Sequence, residues 1–412
     1  MKQVVIIGGG IIGLSCAFYL QKEGCEVTVI DQDNVNEGSS NGNAGMIVPS
    51  HIIPFAAPGM ISKGIRWMFN SESPFYVKPR VSGDLIKWGW KFYKSATNEH
   101  VMKSIPVLRD ISFMSRSLYS ELSKELNNKF LFEERGLMML YKTESVEKEE
   151  VETAHLANKF GVTAEILSSK EVQHKETEIE VSVRGGIFFP GDAHLNPNIL
   201  MSELRKNLIH KNVKLVSGKS VLGFERSNSK VTDVVTSEST YQTDEVIIAT
   251  GAWSPILAKE LGINLLLQAG KGYSFTLDDV KKNVQIPSIL LEARVPVTPM
   301  GKSLRFGGTM EITNNDLSIN QKRVNGIVKS IPDYYPEMKI ENPDVIWSGL
   351  RPCSPDGLPY IGRTENLSNV TLATGHGMMG LSLGPGTGKL VSELICGIKP
   401  SMEIRPFSPN RF

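Results

Sequence analysis

Apolar positions in the first thirty residues change period twice. Residues 4–7 form a β-branched run, residues 11–22 carry apolar side chains at helical spacing, and residues 27–30 form a second β-branched run that ends on Asp31. This predicts strand, helix, strand, with Gly24 as the intervening turn. Further on, residues 82–126 read as charged helix, and a helix starts at Asn196-Pro197 and runs to about His210, with asparagine as cap and proline in the first turn. Strand patterns occupy 136–141, 186–189, 213–216, 220–225, 231–236 and 245–249, and residues 272–276, 288–296 and 303–311 read as antiparallel strands. Residues 321–331 are helical up to the breaks at Pro332 and Pro336, and a last strand from Val370 runs through a glycine passage into a helix from Lys389.

The first turn carries the chemistry. Gly8, Gly10 and Gly13 stand in G-x-G-x-x-G spacing between a strand and a helix, and Asp31 follows Gly13 by 18 residues. In a dinucleotide site the first glycine makes the tight turn, the second lets a pyrophosphate reach the backbone, and the third brings helix and strand together. The helix start offers free N–H groups and a positive dipole end to the phosphates, and the acid accepts from ribose hydroxyls. A membrane or signal segment is the alternative for the uncharged stretch 4–20, but it is short, holds four glycines and has no cleavage-type site before the next strand.

Composition narrows the function classes. The chain has 412 residues, 22% of them charged, and a net charge of +1, which fits a two-domain globular protein and gives nucleic acid no electrostatic footprint. Four cysteines without a C-x-x-C pair suit a reducing cytoplasm, and seven scattered histidines have no metal-ligand spacing, so no metal is expected.

Two segments depart from ordinary connections. Residues 37–45 (EGSSNGNAG) and the proline-interrupted apolar stretch 46–60 form a long irregular segment, which in a compact domain is usually functional; small residues there suit contact with a flat ring. In the helical region Lys87, Lys91 and Lys94 share one face, while Leu85, Trp88 and Phe92 share another. A helix packing aromatics into a core is the expected reading, and an interfacial membrane helix is its alternative.

The opening unit, the AGM of 44–46, ATGAWS at 249–254, GLRP at 349–352 with PDGLPYIG, and the closing GHG…GTG together resemble the FAD-dependent amino-acid oxidoreductases, in the family's order along the whole chain. Asn43-Ala44-Gly45, APGM at 57–60 and Lys271 to Ser274 are most similar to the D-amino-acid dehydrogenase branch, which is related to glycine oxidase and sarcosine oxidase. The resemblance implies an α/β fold. A Rossmann-like FAD domain with a parallel sheet is expected over 1–80, 188–265 and 343–412, and a discontinuous α+β substrate domain with a mixed or antiparallel sheet over 81–187 and 266–342.

It also implies roles. Non-covalent FAD is expected against Gly8, Gly10, Ile11, Ile12, Gly13, Asp31 and Gln32, against Ser39, Ser40, Asn43, Ala44, Gly45 and Met46, and against Thr250, Gly251 and Trp253. The last group is Gly377, Met378, Met379, Gly380 and Leu381, and the helix opened by Gly384 to Lys389 is expected to favour the reduced flavin. Arg351 is expected to hold a substrate carboxylate through two charge-assisted hydrogen bonds, with Tyr273 and Lys271 as weaker catalytic candidates. His51 and His376 lie near the expected ring, with no role as a base assigned to either. Met378 stands where glycine oxidase has an arginine, which argues against glycine as substrate, and Cys353 is not at the flavin-linked position of sarcosine oxidase. The implied reaction is dehydrogenation of a D-amino acid, including D-proline or hydroxy-D-proline types, by hydride transfer from the α carbon to flavin N5, with electrons passing to a quinone or other acceptor. Cytoplasmic location, with a peripheral contact on the inner face of the cytoplasmic membrane as an extension, goes with it. The alternatives are an oxygen-using glycine or sarcosine oxidase and a non-catalytic or tRNA-modifying flavoprotein.

Overall fold

The computed structural model describes residues 1–33, 38–60, 75–77, 82–341, 343 and 345–412. Glu37 and the divide expected between residues 80 and 81 lie outside them.

The β-branched runs pair as their pattern requires. Gln3–Ile7 lies between Glu26–Ile30 and Glu245–Ile248, all parallel, with Lys214–Val216 beyond the former. Val370–Thr374 lies beyond the latter, and Tyr360–Arg363 closes that edge antiparallel. Such a sheet is covered on both faces, so its central strands are runs of buried Val and Ile, Val4 to Ile7 and Val246 to Ile248. Helix Ile11–Lys22 is buried on nearly every side from Ile11 to Leu20, which differs from the amphipathic helix expected. The reason is the last helix, Gly384–Cys396, which packs close against it: a Cβ on Gly384 would lie 2.9 Å from Ile11 Cγ1, and one on Gly388 2.5 Å from the Ser15 carbonyl carbon. That helix starts five residues before Lys389, and its glycines serve this approach.

Among the described residues a second sheet has nine strands. Trp347–Cys353, Gln268–Leu277, Ser303–Thr313, Val295–Met300 and Ser288–Leu290 pair antiparallel in that order, Leu137–Tyr141 joins parallel, and Gly185–Phe189 and Glu165–Ser168 follow antiparallel. Phe75–Val77 adds parallel to Ser303–Thr313. The GLRP strand, expected with the cofactor domain, pairs with Gln268–Leu277 of this second sheet, and the divide expected at 187/188 falls inside Gly185–Phe189. The single strand expected over 288–296 is two strands of a hairpin, because Arg294 adopts a left-handed φ of 56° without glycine or proline to announce the turn. Helix Gln321–Tyr334 runs past Pro332, which sits in its last turn.

Residues 82–126 fold as two helices, Gly83–Ser95 and Asn98–Glu125, the second capped by Thr97 Oγ1, which accepts from His100 N. On the first, Trp88 and Phe92 are buried with Met310, Ile312 and Cys353, as expected, while Ile86, Trp90 and Tyr93 are exposed. Helix Pro197–His210 carries the predicted cap, Asn196 Oδ1 accepting from the N–H groups of Asn198 and Ile199. Among the described residues no helix is long and apolar enough to cross a membrane.

Candidate active site

A cavity of about 710 Å³ runs from the first glycine turn to the second sheet. At its far end the three glycines differ in what they permit. Gly8 has a φ of 111°, and a Cβ there would lie 2.5 Å from the Ala249 carbonyl oxygen; a Cβ on Gly13 would lie 1.8 Å from the Gly8 oxygen. Gly10 has only Ser40 Oγ near its missing Cβ, at 3.4 Å, so its space faces the cavity it lines. Asp31 accepts from Gly9 N at 2.5 Å and from Asp33 N at 2.9 Å, one backbone donor on each oxygen, which leaves lone pairs for hydroxyl groups.

The loop after Asp31 is held from the other sheet. Arg305 Nη1 donates to the carbonyls of Asn41 and Asn43 at 2.9 and 2.8 Å, Ser274 Oγ donates to Gly42 O at 2.8 Å, and Ser39 Oγ donates to Leu350 O and accepts from Leu350 N. Trp347 lies flat on Gly42, whose Cβ would fall 1.9 Å from the indole. Burial pushes the Arg305 guanidinium down to about 10. Neither sheet alone shapes this loop.

Arg351 lines the cavity from the second sheet. Its Nη1 donates to Thr309 O at 2.7 Å, and Thr309 turns that carbonyl with a left-handed φ of 67°, uncommon for a β-branched residue. Gly272 makes room, since its Cβ would lie 2.2–2.5 Å from the guanidinium. Burial lowers the Arg351 pKa, and among the described residues no carboxylate pairs with it. A desolvated guanidinium with unused donors beside a cavity is suited to an anionic ligand. Beside it Phe55, Met60, Phe75 and Met310 give the cavity an apolar wall.

Most of the residues expected at the site line this cavity: Arg351 and Tyr273; Gly8, Gly10, Ile11 and Ile12 of the first turn; Asp31 and Gln32; Ser39, Ser40, Asn43, Ala44 and Met46; Thr250, Gly251 and Trp253; and the 377–381 turn. Gly13 and Gly45 sit behind the wall; a Cβ on Gly45 would strike Leu195 O at 2.3 Å. Lys271 is also behind it, buried, with Nζ donating to Ser318 O at 2.7 Å and pairing with Asp316, so the catalytic place considered for it gives way to a structural one. Tyr273 lines the cavity, but its hydroxyl donates to Glu311 at 2.7 Å and accepts from Asn320 N at 3.2 Å. Gly384 to Lys389 does not line the cavity: Gly386 N donates to Ser115 Oγ, and the residues in the wall are His376 to Ser382. Cys353 is buried outside the lining, its thiol pushed up to about 12 by desolvation.

Sequence reading missed Arg305 and Thr309 because no local pattern marks a residue that reaches across to another sheet. It also missed Asp192. This buried carboxylate accepts from Ser50 Oγ at 2.5 Å and Ser50 N at 3.0 Å, and Ser50 Oγ meets His51 Nδ1 at 3.1 Å. Ser50 and His51 both line the cavity. Burial lowers His51 to about 4 and raises Asp192 to about 7. His376 accepts or donates at Thr387 Oγ1, 2.9 Å away, and burial lowers it to about 3. Among the described residues no cluster of histidine, cysteine or acidic side chains could hold a metal.

The family model described as DAO, FAD dependent oxidoreductase, matches residues 3–394. The chain is 29% identical over 410 residues to a D-amino acid dehydrogenase of Granulibacter bethesdensis, covering 97% of each chain. It is 28% identical over 396 residues to one of Helicobacter pylori, covering 95% of this chain and 94% of the other. Among solved structures, glycine oxidase from Geobacillus kaustophilus aligns over 100% of both chains with a TM-score of 0.81 at 22% identity. L-proline dehydrogenase from P. horikoshii aligns over 100% of this chain and 97% of the other, with a TM-score of 0.77 at 22% identity. At these identities the solved structures speak for the fold alone.

Proposed function

Because the chain belongs to the DAO family of FAD-dependent oxidoreductases, we propose that it dehydrogenates D-amino acids with apolar side chains, proline-type imino acids included. The cradle fits FAD on its own geometry. Gly10 leaves its Cβ space open to the cavity, Asp31 keeps lone pairs for a ribose, and the 38–46 loop is held flat by Arg305 and Ser274. When bound, FAD supplies the hydride acceptor.

The observation that carries the substrate class is Arg351. An α-carboxylate would satisfy its unused donors and fix one orientation of the α carbon, and the apolar wall of Phe55, Met60, Phe75 and Met310 would take the side chain and exclude water. Glycine would leave that wall uncovered. Met378, which also lines the cavity, adds to its apolar surface.

The electron acceptor belongs to the same proposal: a quinone or equivalent carrier, with dissolved oxygen a poor substitute. The exposed Ile86, Trp90 and Tyr93 support a membrane-surface contact, with Trp90 and Tyr93 stacked at 5.9 Å and Lys94 5.0 Å from the Trp90 ring.

The test is anaerobic mixing of the yellow protein with a panel of D-amino acids, D-proline, hydroxy-D-prolines, glycine and sarcosine. Apolar D-amino acids or D-proline should bleach the flavin and glycine should not. If none bleaches it, the reading is wrong. Reoxidation should be fast with a quinone analogue and slow with oxygen; peroxide released at the dye rate would make the protein an oxidase.

A further inference from the structure

We propose that Arg205 is a positioning residue for the cofactor's pyrophosphate: it holds the Gly9–Gly10 peptide from behind, so that the Gly10 N–H is aimed into the cavity and strengthened as a donor. The inference rests on the FAD cradle described above and not on which amino acid is oxidised.

Arg205 stands on helix Pro197–His210, beside Leu204. Leu200, Leu204 and Leu208 of that helix are buried in one cluster with Leu14, Ala17 and Phe18 of helix Ile11–Lys22. This packing sets the two helices side by side and brings the guanidinium to the first glycine turn, where Nη2 donates to the Gly9 carbonyl at 3.3 Å. Arg205 does not line the cavity, whereas Gly9 and Gly10 both do. The cation therefore touches the turn from the side away from the cavity.

The N–H groups on either side of Gly10 are already committed. Gly9 N donates to Asp31 Oδ2 at 2.5 Å and Ile11 N to Ser40 Oγ at 3.0 Å. Between them the Gly10 N–H has no acceptor among the described residues. Its peptide bond to Gly9 is trans, so this N–H points opposite to the carbonyl that Arg205 holds, toward the cavity that Gly10 lines. A carbonyl that accepts from a cation makes the N–H of its own peptide unit a better donor. An anion that comes up to Gly10, where only Ser40 Oγ is near the missing Cβ, meets that donor.

The surroundings of Arg205 show a residue kept for its charge. Its Nη1 is shut off from solvent and has no partner among the described residues. Burial lowers the Arg205 pKa, and the Asp31 carboxylate opposes that shift. Taking a guanidinium partly out of water with one nitrogen unpaired costs stability, and an apolar side chain of similar length would fill the space beside Leu204 without that cost. Asp31 does not need the cation to be held, because its two oxygens already accept from the backbone of Gly9 and Asp33.

The experiment uses wild-type, Arg205→Met and Arg205→Lys holoproteins. Equilibrium dialysis gives the FAD affinity of each, and phosphorus NMR reads the pyrophosphate of the bound FAD. Melting temperatures are taken with free FAD at the same multiple of each dissociation constant, so that the stabilisation by ligand is equal. Arg205→Met should bind FAD about 10-fold more weakly, the lower end for a hydrogen bond from a charged donor. It should melt no lower than wild type, and the phosphorus signals should shift. Arg205→Lys, which keeps the charge, should fall between the two in affinity. A residue that only packs its helix would give the opposite split, a lower melting temperature with the phosphorus signals of the bound FAD unmoved. That split, or wild-type affinity in Arg205→Met, overturns the proposal. Failure of wild type to hold FAD would defeat the cradle and the proposal with it, whereas failure of every D-amino acid to bleach the flavin would defeat the substrate reading alone.

Discussion

Arg351 Nη1 donates to the carbonyl of Thr309 at 2.7 Å, and Thr309 presents that carbonyl only because its backbone is left-handed, with a φ of 67°. The bond pins one arm of the guanidinium and leaves its other donors toward the cavity. Strain in a β-branched residue, of order 1–3 kcal/mol, is thus spent on aiming a cation.

Arg351→Ala should keep its flavin spectrum and lose about 2–5 kcal/mol of substrate stabilisation, read as kcat/KM with a D-amino acid. Gly272→Ala should have a similar direction of effect without touching the charge, because the new Cβ would fall within 2.5 Å of the guanidinium. If Gly272→Ala retains wild-type KM, the guanidinium is not held as described.

Arg305→Ala should release flavin. Three hydrogen bonds, to Asn41 O, Asn43 O and Thr276 Oγ1, are lost from a buried cation that joins the 38–46 loop to the second sheet. Each lost bond to a charged donor is worth about 1.5–3 kcal/mol. Equilibrium dialysis of FAD should show weakened binding, while circular dichroism remains folded; a full flavin complement would refute the role.

Gly13→Ala should give little soluble protein, since a Cβ 1.8 Å from the Gly8 oxygen forces helix Ile11–Lys22 off its strand. Gly24→Ala meets nothing within 4 Å and should cost only the strain of its φ of 78°. Soluble yields and melting temperatures of the pair test this; equal behaviour would mean the first turn tolerates a side chain.

Stability should fall on the acid side below about pH 6.5, the unfolded histidine value. His376 and His194 are buried and His51 is half-buried, and desolvation lowers their pKa values to about 3, 4 and 4 in that order. Between those values and 6.5 the unfolded chain binds protons that the folded one refuses, so unfolding becomes easier as pH drops through that window. Asp192, raised to about 7, acts in the opposite direction by binding its proton in the fold first. His376→Asn should flatten the slope of stability against pH by up to about one proton in denaturant titrations from pH 4 to 6.5. An unaltered slope would remove His376 from the acid limb.

Periodicity and turn chemistry determined the opening unit, the Asn196 cap and most strands, because those signals are local: a period of side chains, a cap three residues from its donor, a glycine where a phosphate must approach. The place of Arg351 in the cavity lining was legible too, as an arginine between glycine turns in a passage similar to a known family. What remained hidden was decided by contacts between distant segments. Lys271 and Tyr273 look alike on one strand, yet a turn at 316–320 claims the ammonium of one and the hydroxyl of the other. The glycines of the last helix read as a cofactor loop but answer to the backbone of Ser15 and the side chain of Ile11, more than 370 residues away in sequence. Asp192 meets Ser50 across 142 residues, and only the pairing of Met46–Ile47 with Ala193–His194 brings them together. A buried polar group takes whatever partner the packing supplies, and that choice is written in three dimensions because no period along the chain encodes it.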